Sequence, residues 1–452
     1  MRSFLRSESG AAAVYIALVS PILIGFAALG SEVGMWLLTQ RKIQHIADVA
    51  AYTAATRSLS TDDIGKVRES VMDRASGAGL LADDDLVLTL PPTTGSYAGR
   101  KNHAEVTVSR ALPRYLTALF STTGAADDVL ITARAVAGVD PESGEQACMV
   151  ALGKTGVTLS IGGSGEVTMV NCAAASNSVA SNSAQRVGNN AELTATCVYT
   201  VGGTDNLQED NVKITYTDPE CAAPKIRQRP SADPYADLHM LTSSEVGGIN
   251  AVSPTADPVN AGGVVYAARQ SISSLGELKI ARFDDLNLKG EVRFEPGLYI
   301  IDGARNGDLT INAGAVVEGE NVSFYLMNGA TLSVSGSAQV KLTAYNKATS
   351  NRTDPYNGIL FFGDRVGTEL KHSFTGNNGT VLSGLIYFPN DEVEFSGNTN
   401  RDVVEPCIRL LSGRITISGN STVELDDSCD FRSAMPPNAP KITAQQRISL
   451  KE

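Results

Sequence analysis

The strongest constraint on the fold is an uncharged apolar run near the N-terminus, from Gly10 to Gly30, with Glu32 as the first charge after it. Arg2 and Arg6 precede this run. A helix of about 20 apolar residues is long enough to cross the hydrocarbon core of a bilayer. Because the basic residues stand before the run and no comparable cluster immediately follows it, the sequence predicts a single-pass anchor with a cytoplasmic N-terminus. The rest of the chain would then lie outside the cytoplasm.

A cleaved secretory signal is the alternative interpretation. Such a signal has an apolar core of about 7–15 residues followed by a small-residue cleavage site, and Ala27–Gly30 is a possible site. The run here is longer, and helix-compatible sequence continues past it, so a retained anchor is favoured. Proline is tolerated in the middle of a membrane helix, and a tryptophan often marks the membrane interface. The residues assigned to the anchor are Ala11, Tyr15, Pro21, Phe26 and Trp36.

Small apolar residues continue the helical pattern beyond the apolar run. They recur at steps of three and four residues, which predicts a helix with one alanine-rich face. The positions are Ile43, Ile46, Ala47, Ala50, Ala51, Ala54 and Ala55. We therefore expect residues 1–58 to form one transmembrane, pilin-like helix.

The same stretch resembles a known family. It has a basic tip, a glycine, a small apolar span with a central proline, an acidic residue, and then Arg41-Lys-Ile-Gln-His-Ile-Ala-Asp-Val-Ala-Ala-Tyr52. This pattern resembles the N-terminus of TadE/TadG-like proteins of the Flp (tight-adherence) pilus-assembly system, and the layout of the later chain resembles the TadG-related branch. The resemblance implies a bacterial inner-membrane protein with a periplasmic C-terminal part, which helps to build adhesive pili. Its implied partners are the lipid bilayer and other Tad pilus-assembly membrane proteins.

One position departs from the pattern of pilin precursors, which are cleaved after a glycine and carry glutamate at the fifth mature position. Tyr15 occupies that position relative to Gly10. A carboxylate inside a membrane is costly and usually functional, so its loss argues against polymerisation as a pilin. Gly10 as a processing site stays open. Glu32 is either a partner contact or an interfacial charge that reaches water.

Residues 59–140 are predicted to form a small α/β unit. An amphipathic helix over Asp62–Ala78 precedes alternating segments at Leu86–Leu90, Glu105–Ser109 and Val129–Ala137, which are typical of strands.

A repeat begins near Cys148. Short β-branched runs flank Gly or Asn turns, as in Ile161–Val167, Val334–Val340 and Ile417–Val423. Repeat starts at 311, 334, 374, 395 and 417 are 23, 40, 21 and 22 residues apart. A period of about 20–50 residues indicates a stacked array. The sequence therefore predicts an all-β, right-handed parallel β-helix-like solenoid in two segments, residues 141–221 and 263–432.

Two stretches fall outside this repeat. Residues 222–262 contain five prolines and are predicted to form an exposed, Pro-rich connector. Residues 433–452 are predicted to form a flexible tail.

The six cysteines follow the period of the repeat. Cys148, Cys172, Cys197 and Cys221 are spaced by 24, 25 and 24 residues, and Cys407 and Cys429 by 22. Residues one coil apart lie on adjacent strands about 4.8 Å from each other, within the Cα separation that a disulfide needs. This predicts disulfides 148–172, 197–221 and 407–429, with 172–197 as the local competitor. An oxidising periplasm allows them.

The composition and motifs indicate no catalytic role. The formal net charge of −12 excludes a basic nucleic-acid footprint, no Cys-x-x-Cys points to a metal, and no cofactor motif is present. Asp302, Asp308, Asp364 and Asp391 could serve a polysaccharide-active face, but solvated turn carboxylates are the favoured interpretation. We therefore expect a non-catalytic structural component; the alternatives are a cell-envelope glycan-binding module or a polysaccharide-active β-helix protein.

Overall fold

The computed structural model describes residues 8–115, 128–140, 145–188, 190–207, 213–252, 263–272, 275, 278–345, 356–365, 367–376, 380–397, 407–426, 442–444 and 447–452. The chain divides into two compact units. Unit 1 comprises Met1–Val139 and Ile448–Glu452, and unit 2 comprises Asp140–Arg447.

Unit 1 combines two helices with an antiparallel sheet. The helices are α1 (Glu8–Ser60) and α2 (Ile64–Gly77), and α2 begins where the Asp63 side chain accepts the Gly65 N–H at 2.9 Å. The strands are β1 (Asp85–Thr89), β2 (His103–Leu112), β3 (Val129–Asp140) and, from the end of the chain, β28 (Arg447–Leu450). Their order is β1-β2-β3-β28.

The alanine-rich face of α1 is the core of unit 1. Ile43, Ala47, Ala50 and Ala54 are all fully buried, and α1 packs against α2 and β2. Small side chains let the helix lie close to both elements, which contribute Val67 and Val71 from α2 and Val106 and Val108 from β2. The predicted periodicity of α1 therefore corresponds to a buried face.

The C-terminal residues differ from the predicted flexible tail. Thr443–Ala444 forms strand β27, which pairs antiparallel with Gln146 and Glu145 in unit 2. Strand β28 joins the sheet of unit 1, where the Val136 N–H donates to the Glu452 carbonyl at 2.8 Å. The Ile448-Ser-Leu450 alternation is a short strand signal that the neighbouring prolines obscure.

Unit 2 is built mainly from short strands. In the first part of the chain they are β4 (Glu145–Ala151), β5 (Leu159–Gly162), β6 (Glu166–Val170), β7 (Ala173–Ser176), β8 (Ala184–Val187), β9 (Glu192–Ala195), β10 (Val198–Thr200), β11 (Thr204–Asp205) and β12 (Ile214–Tyr216). In the middle part are helix α3 (Ser243–Val246), a 3₁₀ turn (Gly303–Arg305), and strands β13 (Val264–Tyr266), β14 (Ile280–Phe283), β15 (Leu286–Leu288), β16 (Glu291–Phe294), β17 (Gly297–Asp302), β18 (Leu309–Ile311), β19 (Val316–Met327), β20 (Leu332–Val334) and β21 (Gln339–Ala344). The last part contains β22 (Ile359–Gly363), β23 (Lys371–Gly376), β24 (Thr380–Gly397), β25 (Cys407–Ile417) and β26 (Thr422–Asp426).

These strands pair in parallel with strands about one repeat away. Val150 in β4 pairs with Ala175 in β7, which pairs with Tyr199 in β10. In the same way β5, β8 and β11 form a second ladder, and β6, β9 and β12 a third. We call each set of consecutive strands, such as β4–β5–β6, a rung. The repeat in the sequence is therefore the distance from one rung to the next.

The spatial order of the rungs differs from their order in the chain. Strand β25 pairs in parallel with β4 and β5, as in Leu411↔Val150 and Ile415↔Leu159, and β26 pairs with β6. The last rung of the chain thus lies directly beside the first. The two segments predicted separately, residues 141–221 and 263–432, form one continuous set of ladders within unit 2.

Two disulfides link neighbouring rungs. Cys148 is bonded to Cys172 and Cys197 to Cys221, with Cα separations of 5.6 and 5.7 Å. These are two of the three pairings that the spacing predicts. The third, Cys407–Cys429, lies outside the described side chains.

Removing the Cys148–Cys172 crosslink is expected to lower the free energy of unfolding by about 3 kcal/mol, because the bond closes a loop of 24 residues in the unfolded chain. Denaturant unfolding of Cys148→Ala/Cys172→Ala tests this. Because both side chains are buried, the cost of the lost side-chain volume is measured separately, as the difference between this variant and the wild-type protein when both are fully reduced, and is subtracted.

Candidate functional site

The first half of α1 presents an apolar surface. It is long and apolar enough to cross a membrane, and the most apolar stretch is entirely unburied within the protein. Large apolar side chains are exposed all around it, at Val14, Tyr15, Ile16, Leu18, Val19, Ile22, Leu23, Ile24, Phe26, Leu29, Val33, Met35, Leu37 and Leu38. An apolar helix that no described part of its chain covers is typical of a bilayer-spanning segment.

The residues assigned to the anchor all lie on this helix. Gly10 and Ala11 are in its first turns, and α1 continues through Pro21 without ending. Tyr15 and Phe26 are exposed. Trp36 is half-buried, and its indole N–H is buried with no hydrogen-bond acceptor among the described residues.

Glu32 does not reach water, in contrast to the interfacial charge that the sequence suggests. It is only 2% exposed, and its Oε1 accepts the backbone N–H of Tyr115 at 2.8 Å. The carboxylate therefore holds the chain that follows β2 against α1. No feature of the local sequence connects Tyr115 with Glu32, so this contact was not predictable from the motif.

A groove of about 880 Å³ lies on unit 1, bounded by α1, α2 and the edge strand β28 of the sheet. Val49, Tyr52 and Thr56 of α1 form its floor at helical spacing, and Ser70 of α2 and Leu450 of β28 form its walls. The groove thus belongs to the half of α1 that follows the apolar surface.

In unit 2, one ladder is apolar on both of its faces. The inner row includes Tyr299, Phe324 and Phe361, whose rings stack from rung to rung. The outer row, in continuous register, is Ile300, Tyr325, Phe362, Tyr387, Leu411, Val150, Ala175 and Tyr199, and every one of these side chains is buried. The sequences of parallel strands that are buried on both faces contain continuous apolar runs.

The predicted exposed connector covers this outer row. We call its described residues, 222–252, the strap. Ser231, Tyr235, Leu241 and Val246 of the strap are buried, which corrects the prediction of an exposed connector. The prolines prevent regular pairing but leave an extended chain that can lie on a sheet.

From residue 225 to residue 251, the strap contacts one rung after another along the outer row, from its Tyr199 end to its Ile300 end. Lys225 pairs with Tyr199 near one end, and the Ser231 N–H donates to Asn177 Oδ1 at 2.8 Å. Further along, the Tyr325 hydroxyl donates to the Leu241 carbonyl at 3.1 Å, and Ala251 pairs with Arg282. Additional contacts include Tyr356 with the His239 carbonyl and Asn328 with Ser243.

Four residues form what we call the latch, where the strap meets β22 and β24. The Tyr387 hydroxyl donates to Asp233 Oδ2 at 2.6 Å and accepts from Arg365 at 2.5 Å. Arg365 also donates to the Tyr235 carbonyl, and the rings of Tyr235 and Tyr387 lie 5.5 Å apart. Burial and the nearby Asp233 carboxylate raise the pKa of Tyr387 well above its usual value, so it stays a neutral donor.

Helix α3 fixes the far part of the strap through a capping box. The Thr242 hydroxyl accepts the Glu245 N–H, and Glu245 Oε2 accepts the Thr242 N–H at 2.8 Å. Hydrogen bonds from the Thr242 N–H and hydroxyl, and from the His239 ring, lower the pKa of Glu245 to about 2.

This shift predicts a pH dependence of the strap. Because the pKa of Glu245 is lower in the folded protein than its ordinary value of 4.5, the contribution of Glu245 is present above about pH 5 and is lost as the pH falls through about 2. Hydrogen exchange of residues 239–249 should therefore become faster between pH 5 and pH 2.5, after correction for intrinsic rates. In Glu245→Gln that additional acceleration should be absent; an unchanged acceleration would contradict the assignment.

A buried histidine interrupts an aliphatic inner row. Leu309, Leu332, Val393 and Ile415 flank it in register, and His372 stands between Leu332 and Val393. Its Nδ1 accepts the Leu332 N–H at 3.1 Å, which places the proton on Nε2, 3.2 Å from Asp391 Oδ2. The ring also stacks on Phe388 at 3.7 Å. No local pattern in the sequence connects His372 with Asp391.

The other carboxylates considered for chemistry are engaged within the fold. Asp308 accepts the N–H and hydroxyl of Thr331 at 2.7 Å. Asp302 and Asp364 meet at Asn328, which donates to both. Burial raises the pKa of Asp302, but hydrogen bonds from Asn328 and Ala304 and the Arg282 guanidinium outweigh it, so its pKa is below the usual value.

In the described part of the chain, no three His, Cys, Asp or Glu side chains are grouped so that they could hold a metal ion. An outward polar row follows the ladder next to the covered face. Its residues in register are Asn287, Thr310, Ser333, Ser373, Glu394, Thr416, Ser160, Gln185 and Asp205.

These features define a protein with one long apolar helix, a small helix-and-sheet unit and a large β-rich unit. Residues 10–57, almost all of α1, match the model of the putative Flp pilus-assembly TadE/G-like family. The match covers both the exposed apolar half and the alanine-rich packed half of the helix. No curated protein and no solved structure shows a significant match to the chain.

Proposed function

We propose that the protein is a non-catalytic, membrane-anchored structural component of Flp/Tad pilus assembly. The first half of α1 spans the bacterial inner membrane with the N-terminus in the cytoplasm, and the rest of the chain lies in the periplasm. Unit 2 acts there as a rigid scaffold, a right-handed parallel β-helix held by its disulfides and its strap. Other Tad membrane proteins are its partners.

One observation carries this proposal: the family match coincides with a helix whose first half is apolar and exposed and whose second half is packed into unit 1. Such a helix fixes the position of unit 1 relative to the membrane, because no flexible linker separates its spanning half from its packed half. The parallel register from rung to rung supports the scaffold role, because each rung rests on its neighbours.

The test is the number of surface pili, seen by electron microscopy, in a host strain that lacks this chain. Pili should vanish and return on complementation with the wild-type chain. Complementation with Leu23→Lys/Ile24→Lys should fail, because two charges in the apolar span oppose insertion. The control Met72→Lys, on the exposed side of α2, should restore pili. Normal piliation without the chain would contradict the proposal.

A second candidate function is binding of an envelope glycan. The outward polar row from Asn287 to Asp205 favours it, since small hydroxyl and amide side chains in regular register offer hydrogen bonds to a repeating polar polymer. Thermal unfolding of the full chain with soluble peptidoglycan fragments tests this candidate, because a ligand that binds only the native state raises the midpoint. The rise should disappear in Thr310→Val/Thr416→Val.

A further inference from the structure

The exposed apolar band of α1 is longer than a bilayer core requires. From Val14 to Leu38 the helix rises about 36 Å at 1.5 Å per residue, whereas the hydrocarbon core is about 30 Å thick. Leu38 is 60% exposed although it lies about 9 Å beyond Glu32 along the axis. Apolar surface therefore continues on both sides of the buried Glu32 carboxylate.

The contact at Glu32 fixes another part of unit 1 at the level of this band. The Tyr115 N–H is held 2.8 Å from Glu32 Oε1, whereas the Tyr115 side chain is 65% exposed. Arg114, beside it, is exposed as well. The backbone after β2 thus covers the carboxylate, and an aromatic ring and a guanidinium remain outside.

Basic side chains surround this level in a chain whose net charge is −12. Arg41 and Lys42 are exposed one turn beyond Leu38, and Arg114 is exposed at the Glu32 contact. A local excess of positive charge beside an apolar band complements anionic lipid headgroups. Tyrosine rings favour the same interface.

We propose that Arg114 and Tyr115, together with Val33–Leu38 of α1, form a collar that inserts into the headgroup region of the outer leaflet. The lipid bilayer is the partner: the Tyr115 ring lies at the interface, and Arg114, Arg41 and Lys42 meet phosphate groups. Glu32 is the positioning residue that holds the collar together. The inference rests on the proposed membrane anchoring of α1, and adds a second contact that fixes unit 1 on the membrane.

The experiment uses Trp fluorescence, because Trp36 is the one tryptophan in the chain. In a Trp36→Phe background, single tryptophans are introduced as Tyr115→Trp, Ile22→Trp and Met72→Trp. The full-length proteins are placed in nanodiscs of phosphatidylethanolamine and phosphatidylglycerol that contain lipids brominated at different depths. The indole at position 22 should be quenched by deep bromines. The indole at position 115 should be quenched by shallow bromines, at least half as strongly. The indole at position 72 should not be quenched.

The outcomes separate the collar from the anchor. Quenching at position 22 without quenching at position 115 overturns the collar and leaves the anchor intact. Absence of quenching at both positions overturns the anchor itself. Added Glu32→Ala should reduce quenching at position 115, whereas Glu32→Gln, which keeps an oxygen acceptor for the Tyr115 N–H, should preserve it; equal effects of the two would remove Glu32 from the proposal. Circular dichroism confirms that each variant is folded.

Discussion

Replacing Tyr387 by alanine is expected to lower the free energy of unfolding of unit 2 by about 4 kcal/mol, a typical cost for removing a fully buried aromatic side chain. The ring is fully buried between β24 and the strap. Its removal leaves a cavity under the strap. It also leaves the partly buried Asp233 carboxylate without its 2.6 Å donor. Denaturant unfolding measures the loss, and limited proteolysis within residues 222–252 reports whether the strap detaches.

Tyr387→Phe separates packing from hydrogen bonding at the latch. It keeps the ring but removes the hydroxyl that connects Asp233 and Arg365, so a smaller loss of about 1–3 kcal/mol is expected. Val265→Ala, at an exposed position of β13, is a control for truncation as such and should have little effect. If Tyr387→Ala costs no more than Val265→Ala, the strap does not stabilise unit 2.

The strap shows where reasoning from the sequence stops. Its prolines, Pro224, Pro230 and Pro234, interrupt regular structure in the part that precedes α3, but they do not tell whether an extended chain lies in water or on a sheet. The information was in the strands that the strap covers, because β17, β22 and β24 contain continuous apolar runs such as residues 298–301 and 359–362. Runs of this kind need cover on both faces. Which segment covers the outer face depends on contacts between residues that are far apart in the chain.

The long helix and the repeat were predictable because each rests on a local period. The apolar run is continuous, the alanine-rich face repeats at helical spacing, and the 24-residue cysteine spacing is close to the 25 residues that separate the register partners Val150 and Ala175. The order of the rungs was not predictable, since every rung has the same period and offers the same kind of edge. The Glu32–Tyr115 and His372–Asp391 contacts join residues whose local patterns carry no sign of each other.

The junction between the last rung and the first one depends on glycines that lie face to face. Gly163 follows β5 and Gly419 follows β25, and a Cβ on Gly163 would stand 2.7 Å from the Gly419 carbonyl oxygen and 2.9 Å from its nitrogen. Backbone atoms cannot swing aside as a flexible side chain can. The turn after β5 can therefore stack on the turn after β25 only because position 163 carries no side chain.

Gly163→Ala is accordingly expected to lower the free energy of unfolding by about 3 kcal/mol or more, of which about 1–2 kcal/mol is the cost of a left-handed backbone for alanine and the rest is overpacking. Gly156→Ala is the matched control, since its φ of 68° is close to the 66° of Gly163 and a Cβ there meets no atom within 4 Å. The difference between the two variants isolates the contact between rungs. Equal losses in denaturant unfolding would mean that the β25–β5 junction tolerates a side chain at position 163.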